Sequence, residues 1–260
     1  MSETILKPGQ SAVVTGAALG IGRAMCHRFA AAGMRLAMVD LPGDDLDTAH
    51  AEIAASHPDG PTAVLKAPAD VSDERQIAAL RDTVLESFGG VSFLANNAVT
   101  RMGRGHDADL ADWRQAMEVN FWAPVLGVRT FLADMLSTAG RGIIVNVGSK
   151  QGITNPPGHP IYNVCKSALK TYTEALEHDL RSRPGNTGDD RVSAHLLVPG
   201  WTTTGKNPHK SGAWRPEQVV DVMLAALARG EFYIICPDDE VTADMDKRRI
   251  LWAAQDITEN

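Results

Sequence analysis

Short apolar runs alternate with longer amphipathic segments along most of this chain of 260 residues. The runs are apolar throughout rather than at every second position, which is typical of parallel strands that are buried on both faces. The amphipathic segments between them predict helices that connect one strand to the next through right-handed crossovers. The pattern therefore predicts an α/β fold, with a doubly wound parallel sheet and helices on both of its faces.

The elements can be placed from the pattern alone. The predicted strands are Ser11–Thr15, Leu36–Asp40, Thr62–Leu65, Val91–Ala95, Gly142–Val147, Val192–Val198 and Phe232–Cys236. The predicted helices are Ile21–Ala32, Asp45–Ala55, Asp73–Phe88, Asp109–Leu136, Ile161–Arg183, Pro216–Arg229 and Thr242–Ala254. No repeat or shift in composition divides the sequence, so we predict a single domain over residues 1–260. Ligands bind outside the carboxyl ends of such strands, and we expect the site there.

Charge and cysteine content exclude several classes of function. The chain has 25 Lys and Arg against 32 Asp and Glu, and its net charge of −7 argues against nucleic acid or an anionic membrane as partner. No run approaches the ~18 apolar residues of a membrane span, and residues 1–9 lack a signal-peptide pattern. The 3 cysteines show neither metal-site nor disulfide spacing. We expect a cytoplasmic protein that holds no metal and acts on a small molecule.

The first predicted strand is followed by a glycine-rich turn that opens a helix, and the turn reads Thr15-Gly16-Ala17-Ala18-Leu19-Gly20-Ile21-Gly22. Glycine lets the backbone approach a pyrophosphate closely, and a helix N-terminus offers unpaired N–H groups and a positive dipole. The spacing differs from Gly-x-Gly-x-x-Gly, and a tight turn without a ligand is the alternative interpretation. The candidate cofactor-binding residues of this turn are Gly16, Leu19, Gly20, Ile21 and Gly22.

Asp40 ends the second predicted strand, 24 residues beyond Gly16. A carboxylate at this place accepts hydrogen bonds from the hydroxyls of an adenosine ribose and repels a 2′-phosphate. No Arg or Lys occurs at residues 17–21 or 41–43. Both observations favour NAD over NADP as cofactor, and an exposed turn aspartate is the alternative.

Tyr162 and Lys166 lie four residues apart in a predicted helix, and this spacing places both side chains on one face. The ordinary tyrosine pKa of about 10 is too high for acid–base catalysis near neutral pH. A nearby lysine cation and an oxidised nicotinamide ring would both favour the phenolate. Ser149 follows the preceding predicted strand, where its hydroxyl could hydrogen-bond the same substrate oxygen.

An ordered set of motifs now identifies a family. The set is Thr15-Gly-x-x-x-Gly-x-Gly22, Asp70-Val71, Asn96-Asn97-Ala98, Asn120, Ser149, Tyr162-x-x-x-Lys166 and Pro199-Gly200. Each motif alone is weak, but together they make the chain resemble a short-chain dehydrogenase/reductase from Ser11 to about Pro237. The resemblance implies a Rossmann-type, seven-stranded parallel sheet, a nicotinamide cofactor and hydride transfer to or from an alcohol or carbonyl carbon. It also implies a homo-oligomer, most often a homotetramer or homodimer.

The resemblance implies a role for each catalytic position. Tyr162 is similar to the general acid/base that exchanges a proton with the substrate oxygen, and Ser149 to the serine that orients the substrate carbonyl. Lys166 is similar to the lysine that holds the nicotinamide ribose and lowers the tyrosine pKa. Asn120 matches the asparagine that kinks its helix and holds a water for proton relay. The predicted catalytic residues are therefore Asn120, Ser149, Tyr162 and Lys166.

The same resemblance extends the predicted cofactor site beyond the glycine turn. Asp70 and Val71 resemble the pair that flanks the adenine, and Asn97 resembles a residue that lines the cofactor after the fourth strand. The turn at Pro199 and Gly200, with Thr202 after it, resembles the turn beside the nicotinamide. The further cofactor-binding residues are thus Asp40, Asp70, Val71, Asn97, Tyr162, Lys166, Pro199, Gly200 and Thr202.

Two departures from the family bear on the substrate. Val99 stands where the family usually has glycine, and only residues 201–214 separate the Pro199-Gly200 turn from the next helix, where relatives often carry a longer lid. We therefore predict an open cleft that suits a bulky substrate. Specificity is expected from residues 99–107, 150–159 and 201–214. The candidate substrate contacts are Val99, Lys150, Gln151, Asn155, Pro156, His159, Trp201 and Trp214.

These features predict an NAD-dependent alcohol dehydrogenase or carbonyl reductase that acts on a secondary alcohol or ketone. An epimerase or dehydratase that retains its NAD is one alternative, although such relatives usually have longer chains and a different glycine spacing. A non-catalytic nicotinamide-sensing protein is another, although a sensor has no need for all four catalytic residues.

Overall fold

Seven strands form one sheet in the computed structural model, which describes residues 5–101, 103–188, 191–206 and 208–259. The strands are β1 Ser11–Thr15, β2 Arg35–Asp40, β3 Val64–Pro68, β4 Phe93–Asn96, β5 Gly142–Val147, β6 Val192–Val198 and β7 Tyr233–Ile235. Their order is β3-β2-β1-β4-β5-β6-β7, and every neighbouring pair is parallel. This confirms the predicted α/β, Rossmann-type doubly wound sheet. Residues 102 and 207, in two of the predicted substrate segments, lie outside the described residues.

The helices of the described residues alternate with these strands. They are α1 Gly20–Ala31, α2 Asp44–Ser56, α3 Glu74–Phe88, α4 Leu110–Met117, α5 Ala123–Ser137, α6 Gln151–Thr154, α7 Pro160–Ser182, α8 Pro216–Ala228 and α9 Ala243–Glu259. A 3₁₀ turn covers residues 61–63, and a π-helical turn over residues 118–122 joins α4 to α5. None of the described helices has the length and apolar character needed to cross a membrane.

The sheet has a hydrophobic core on each face, because successive residues of a strand point to opposite sides. Ala12 and Val14 of β1 pack with Phe29 of α1 in one core, which α2 and α8 complete. Val13 packs with Phe131 of α5 in the other core, which α3 and α7 complete. The strand order reverses between β1 and β4, and a ligand-binding crevice is expected at such a switch point.

The largest shift in a strand concerns β3, which lies at one edge of the sheet. The apolar run predicts residues 62–65, whereas the strand covers Val64–Pro68 and follows a 3₁₀ turn. Val64 is buried, while Lys66 and Pro68 are exposed. An edge strand tolerates lysine and proline because one side of it has no neighbouring strand. A prediction that follows apolar runs therefore places the end of this strand too early in the sequence.

Candidate active site

A cleft of about 640 Å³ lies over the carboxyl ends of the central strands. It is lined by residues that follow β1, β2, β3, β4, β5 and β6, together with residues of α7. The predicted residues that line it are Gly16, Leu19, Gly20, Ile21, Asp40, Asp70, Val71, Asn97, Val99, Ser149, Tyr162, Lys166, Pro199, Gly200 and Thr202. The structure therefore brings most of the predicted catalytic and cofactor-binding residues to one place.

The turn after β1, which we call the glycine cradle (Gly16, Gly20 and Gly22), depends on glycine for two different reasons. Gly16 and Gly20 have φ angles of 67° and 56°, in the left-handed region that favours glycine. Gly22 lies behind the cleft, where a Cβ atom would overlap the carbonyl oxygen of Gly16. The cradle therefore lets helix α1 begin directly against the turn.

The start of α1 is open to an anionic group. Its N-cap residue, Leu19, makes no side-chain hydrogen bond to the first helical N–H groups, although Leu19 lines the cleft. Uncapped N–H groups at a helix N-terminus are donors for a phosphate. The residues present therefore fit the pyrophosphate of a dinucleotide.

Thr15 and Asn97 fix the cradle through neutral hydrogen bonds. The hydroxyl of Thr15 accepts hydrogen bonds from the N–H groups of Asn97 and Ala98, at 2.9 and 3.1 Å. The side-chain amide of Asn97 donates to the carbonyl oxygens of Thr15 and Gly16, at 2.9 and 3.1 Å. Both residues are buried. Asn97 therefore ties the end of β4 to the turn after β1, besides lining the cleft.

The carboxylates of Asp40 and Asp70 are both held by hydrogen bonds from residues close to them in sequence or across the sheet. Asp40 accepts hydrogen bonds from the N–H groups of Ala18 and Leu41, at 2.9 and 2.8 Å. Asp70 accepts from the N–H and the hydroxyl of Ser72, at 2.9 and 2.7 Å. Each carboxylate oxygen has two lone pairs, so both side chains keep acceptor capacity toward ribose hydroxyls.

Tyr162 of α7 faces Ser149 and a residue that the sequence did not single out, Arg101. Burial raises the pKa of Tyr162, and the charge of Arg101 with hydrogen bonds from Ser149 and Arg101 offsets this only in part. The Cζ atom of Arg101 lies 5.4 Å from the centre of the tyrosine ring. Arg101 belongs to no motif and to no periodic segment, so the sequence placed it only within the segment 99–107, from which specificity was expected.

Lys166 is held beneath Tyr162. Its ammonium group is buried, donates to the carbonyl oxygen of Val147 at 2.8 Å and lies 5.6 Å from the centre of the Tyr162 ring. Burial lowers the pKa of Lys166 to about 8. The charge of Arg101 lowers the pKa of Tyr162, and the effect of Lys166 on that pKa stays a prediction.

The short helix α6, which the sequence did not predict, packs against the backbone at Lys166. A Cβ atom on Gly152 would lie 2.5 Å from the backbone carbon of Lys166. Glycine therefore permits the close contact between α6 and α7 that confines the lysine.

Asn120 lies in the π-helical turn and is fully buried, outside the lining of the cleft. Its side-chain amide donates to the carbonyl oxygens of Ala116 and Thr100, both at 2.9 Å. Its side-chain oxygen accepts the N–H of Thr100 at 3.3 Å. The kink expected from the resemblance is present, and Asn120 holds both backbone groups of the residue before Arg101.

A buried ion-pair cluster, which we call the Lys150 anchor (Lys150, Asp238 and Asp246), lies behind the substrate end of the cleft. The Lys150 ammonium lies 3.3 Å from Asp238 and 2.6 Å from Asp246. Burial raises the pKa of Asp238, but the N–H groups of Trp201 and Val241 and the charge of Lys150 outweigh it, so the pKa lies below its ordinary value. Because Asp246 belongs to α9, the anchor holds this helix against its own chain.

Of the remaining predicted substrate contacts, Val99 lines the cleft and the others lie outside its lining. Val99 lines the cleft and is 53% exposed, and Trp201 is 41% exposed but lies outside the lining. Gln151 and His159 also lie outside it, and the side-chain oxygen of Gln151 is buried without a hydrogen-bond partner among the described residues. The N–H of Trp214 donates to the carbonyl oxygen of Trp201 at 2.8 Å, so the ends of this segment are joined.

Comparison with known proteins identifies the family. The sequence model of the short chain dehydrogenases matches residues 10–212. The chain belongs to the short-chain dehydrogenase/reductase family. Its similar relatives include dehydrogenases, which indicates an oxidoreductase that acts on CH–OH groups. A relative named 1-deoxy-11-beta-hydroxypentalenate dehydrogenase, from Streptomyces exfoliatus, is 31% identical over 244 residues, covering 88% of this chain and 84% of its own.

Two solved structures show the same fold with nicotinamide cofactors bound. A short-chain dehydrogenase/reductase from Burkholderia phymatum in complex with NAD is 31% identical, has a TM-score of 0.78 and covers 88% of this chain and 89% of its own. A metagenomic short-chain oxidoreductase in complex with NADP is 27% identical, has a TM-score of 0.72 and covers 88% and 97%. Family members of this kind therefore bind a nicotinamide cofactor, which the glycine cradle also fits.

Proposed function

We propose that this chain is an NAD-dependent dehydrogenase or carbonyl reductase that transfers a hydride between the nicotinamide and a secondary alcohol or ketone. The observation that carries the proposal is that Ser149, Tyr162 and Lys166 line the same cleft as Gly16 and Gly20 of the glycine cradle. The name of the hydroxypentalenate dehydrogenase supports a hydroxy compound as substrate.

The protein's own groups would handle the proton. The phenolate of Tyr162 takes the substrate's hydroxyl proton during oxidation, and the phenol of Tyr162 gives a proton to the carbonyl oxygen during reduction. Ser149 donates a hydrogen bond to the same substrate oxygen, and Lys166, with a water that Asn120 would hold, passes the proton toward solvent. A bound nicotinamide supplies the hydride acceptor or donor. The residues that would hold it are those of the glycine cradle with Leu19, Ile21, Asp40, Asp70, Val71, Asn97, Lys166, Pro199, Gly200 and Thr202.

The substitution Tyr162→Phe tests this function. Because it removes only the hydroxyl that exchanges the proton, we expect kcat to fall at least about 100-fold on every substrate that the parent enzyme turns over. Binding of NADH, followed by its fluorescence, should remain close to that of the parent. A kcat within about tenfold of the parent value would contradict the role of Tyr162.

The preference for NAD rests on Asp40, whose carboxylate lines the cleft and is fixed by two N–H groups. A 2′-phosphate beside it would face a like charge. We expect kcat/KM to be at least about tenfold higher with NAD than with NADP, measured with the same alcohol. A preference for NADP would overturn this part of the proposal.

The short segment 201–214 supports a bulky substrate. Among its described residues no helix covers the cleft, and the pairing of Trp201 with Trp214 keeps the segment compact. An uncovered cleft leaves room for substituents on both sides of the reacting carbon. The expected signature is a higher kcat/KM for aryl or cyclic ketones than for acetone or butanone.

We further propose a cytoplasmic homodimer or homotetramer. The three cysteines are buried and unpaired, as is usual in a reducing compartment. Large apolar side chains are exposed at Trp122 and on α9 at Trp252 and Ile257, which favours a covered interface. Light scattering of the purified protein measures the mass of the assembly.

A further inference from the structure

Two cations, Lys166 and Arg101, stand beside the reacting tyrosine, and the proton transfer proposed above makes no use of Arg101. Its guanidinium lies 5.4 Å from the centre of the Tyr162 ring, and Arg101 lines the same cleft as Ser149. This is the substrate side of the cleft, since Asp40 and Asp70, which suit the adenosine, follow other strands.

The position of Arg101 is built into the fold. Asn120 is fully buried and binds both the N–H and the carbonyl oxygen of Thr100, the residue directly before Arg101. Asn120 is itself fixed through the carbonyl oxygen of Ala116 at the end of α4. The backbone from which the arginine extends is therefore held by the π-helical turn.

The guanidinium of Arg101 is available to a ligand. Among the described residues, none of the ion pairs includes Arg101, and its side chain is exposed. The carboxylates of Asp40 and Asp70, which also line the cleft, accept hydrogen bonds from other groups. A guanidinium binds a carboxylate through two parallel hydrogen bonds, a geometry that neutral alcohols lack.

We propose that Arg101 binds a carboxylate of the substrate, so that the alcohols and ketones this chain converts are hydroxy acids and the matching oxo acids. Because Arg101 and Ser149 both lie beside Tyr162, the carboxylate would be separated from the reacting carbon by a few bonds. A charged anchor also orients a substrate in a cleft that no long segment covers. The inference rests on the proposed function, since it names the substrate class of the same site.

Matched substrate pairs test this inference. We would measure kcat/KM with NAD for 3-hydroxybutanoate and 3-hydroxycyclohexanecarboxylate, each against its methyl ester. In the unmodified enzyme the acids should be preferred. In Arg101→Met the ratio of kcat/KM for acid over ester should fall about 30-fold, and Arg101→Lys should retain an intermediate ratio. Arg104→Met removes an exposed arginine of the same segment, outside the cleft lining, and should keep the ratio near that of the parent.

A second readout needs no turnover of the acid. Cyclohexanecarboxylate has no hydroxyl to oxidise, and it should inhibit oxidation of cyclohexanol competitively. Its inhibition constant should rise about 30-fold in Arg101→Met and stay near the parent value in Arg104→Met.

The outcomes separate this inference from the proposed function. If neutral alcohols are oxidised but acids are not preferred, or if Arg101→Met lowers kcat/KM for acid and ester equally, the carboxylate site is refuted and the dehydrogenase stands. A rise in KM for NAD alone in Arg101→Met would also refute it, because the arginine would then serve the cofactor. If neither acids nor neutral alcohols are turned over with NAD or NADP, the proposed function itself fails.

Discussion

The two ends of the cleft are held in opposite ways. At the cofactor end, Thr15 and Asn97 fix the glycine cradle through neutral hydrogen bonds and through contacts that only glycine permits. At the substrate end, the Lys150 anchor binds the turn at Trp201 and helix α9 through buried charges. Steric contacts fix the cofactor end, and charge interactions fix the substrate end. The first should therefore respond to added side-chain volume, and the second to a change of charge or pH.

The two ends also differ in how strongly they depend on charge. Backbone groups that must contact a phosphate need a fixed position, which glycine contacts and neutral hydrogen bonds supply at any pH. A buried ion pair holds its partners only while both are charged, and removing one partner leaves the others without compensation.

The largest effect is expected in the glycine cradle. Gly22→Ala places a Cβ atom against the carbonyl oxygen of Gly16, which α1 cannot avoid without moving away from the turn. We expect NADH binding to weaken at least about 100-fold, together with a lower Tm. Fluorescence titration with NADH and a thermal melt measure the two effects.

The matched control is Gly89→Ala, at the end of α3, where a Cβ atom meets nothing within 4 Å. Its left-handed φ of 77° makes a loss of about 1 kcal/mol in stability the expected cost, with NADH binding intact. Equal effects of the two substitutions on NADH binding would show that the contact at Gly22 is not what shapes the cradle.

The Lys150 anchor should respond mainly in stability. Lys150→Met leaves the buried carboxylates of Asp238 and Asp246 without their counter-charge, and we expect a loss of about 3–5 kcal/mol. Asp246→Asn should cost less, because Lys150 keeps Asp238 and the carbonyl oxygen of Val241 as partners. Urea unfolding at neutral pH gives both values, and a larger loss for Asp246→Asn would contradict this account of the cluster.

The smallest effect is a pH dependence at the anchor. Because the pKa of Asp238 is lower in the folded protein than its ordinary value of 3.8, its carboxylate stabilises the fold above that value. This contribution is lost as the pH falls below about 4 through the folded-state pKa. Asp238→Asn should therefore be less stable than the parent at pH 7, and the difference in unfolding free energy should narrow toward pH 3.5. A constant difference across that range would show that the charge of Asp238 is not used.

The sequence predicts most of the fold because buried parallel strands are apolar throughout. β1, β5 and β6 match their predicted bounds. The errors fall where this rule fails. At the edge strand β3, exposed Lys66 interrupts the apolar run. The predicted helix 109–136 is continuous, whereas a π-helical turn divides it at Asn120, the position where the family resemblance implies a kink.

The candidate site divides in the same manner. Residues in ordered motifs, such as Ser149 and Tyr162, could be found because the order and spacing of the motifs can be recognised in one sequence. Arg101 could not, since its place depends on Asn120, and Lys150 was expected to contact substrate although Asp238 and Asp246 bind it. Contacts between residues so distant in sequence, such as those of Lys150 with Asp238 and Asp246, leave no regular spacing or periodicity in the sequence.

The pairing of Trp201 with Trp214 bears on how this enzyme could acquire new substrates. Because the two ends of the segment are hydrogen-bonded, the residues between them form a closed loop outside the strands of the sheet. Doubling the length of such a loop costs only about 0.6 kcal/mol in closure entropy. We therefore expect the fold to tolerate a longer segment after Gly205, which would leave the cleft-lining Thr202 and Thr204 in place and could cover the cleft.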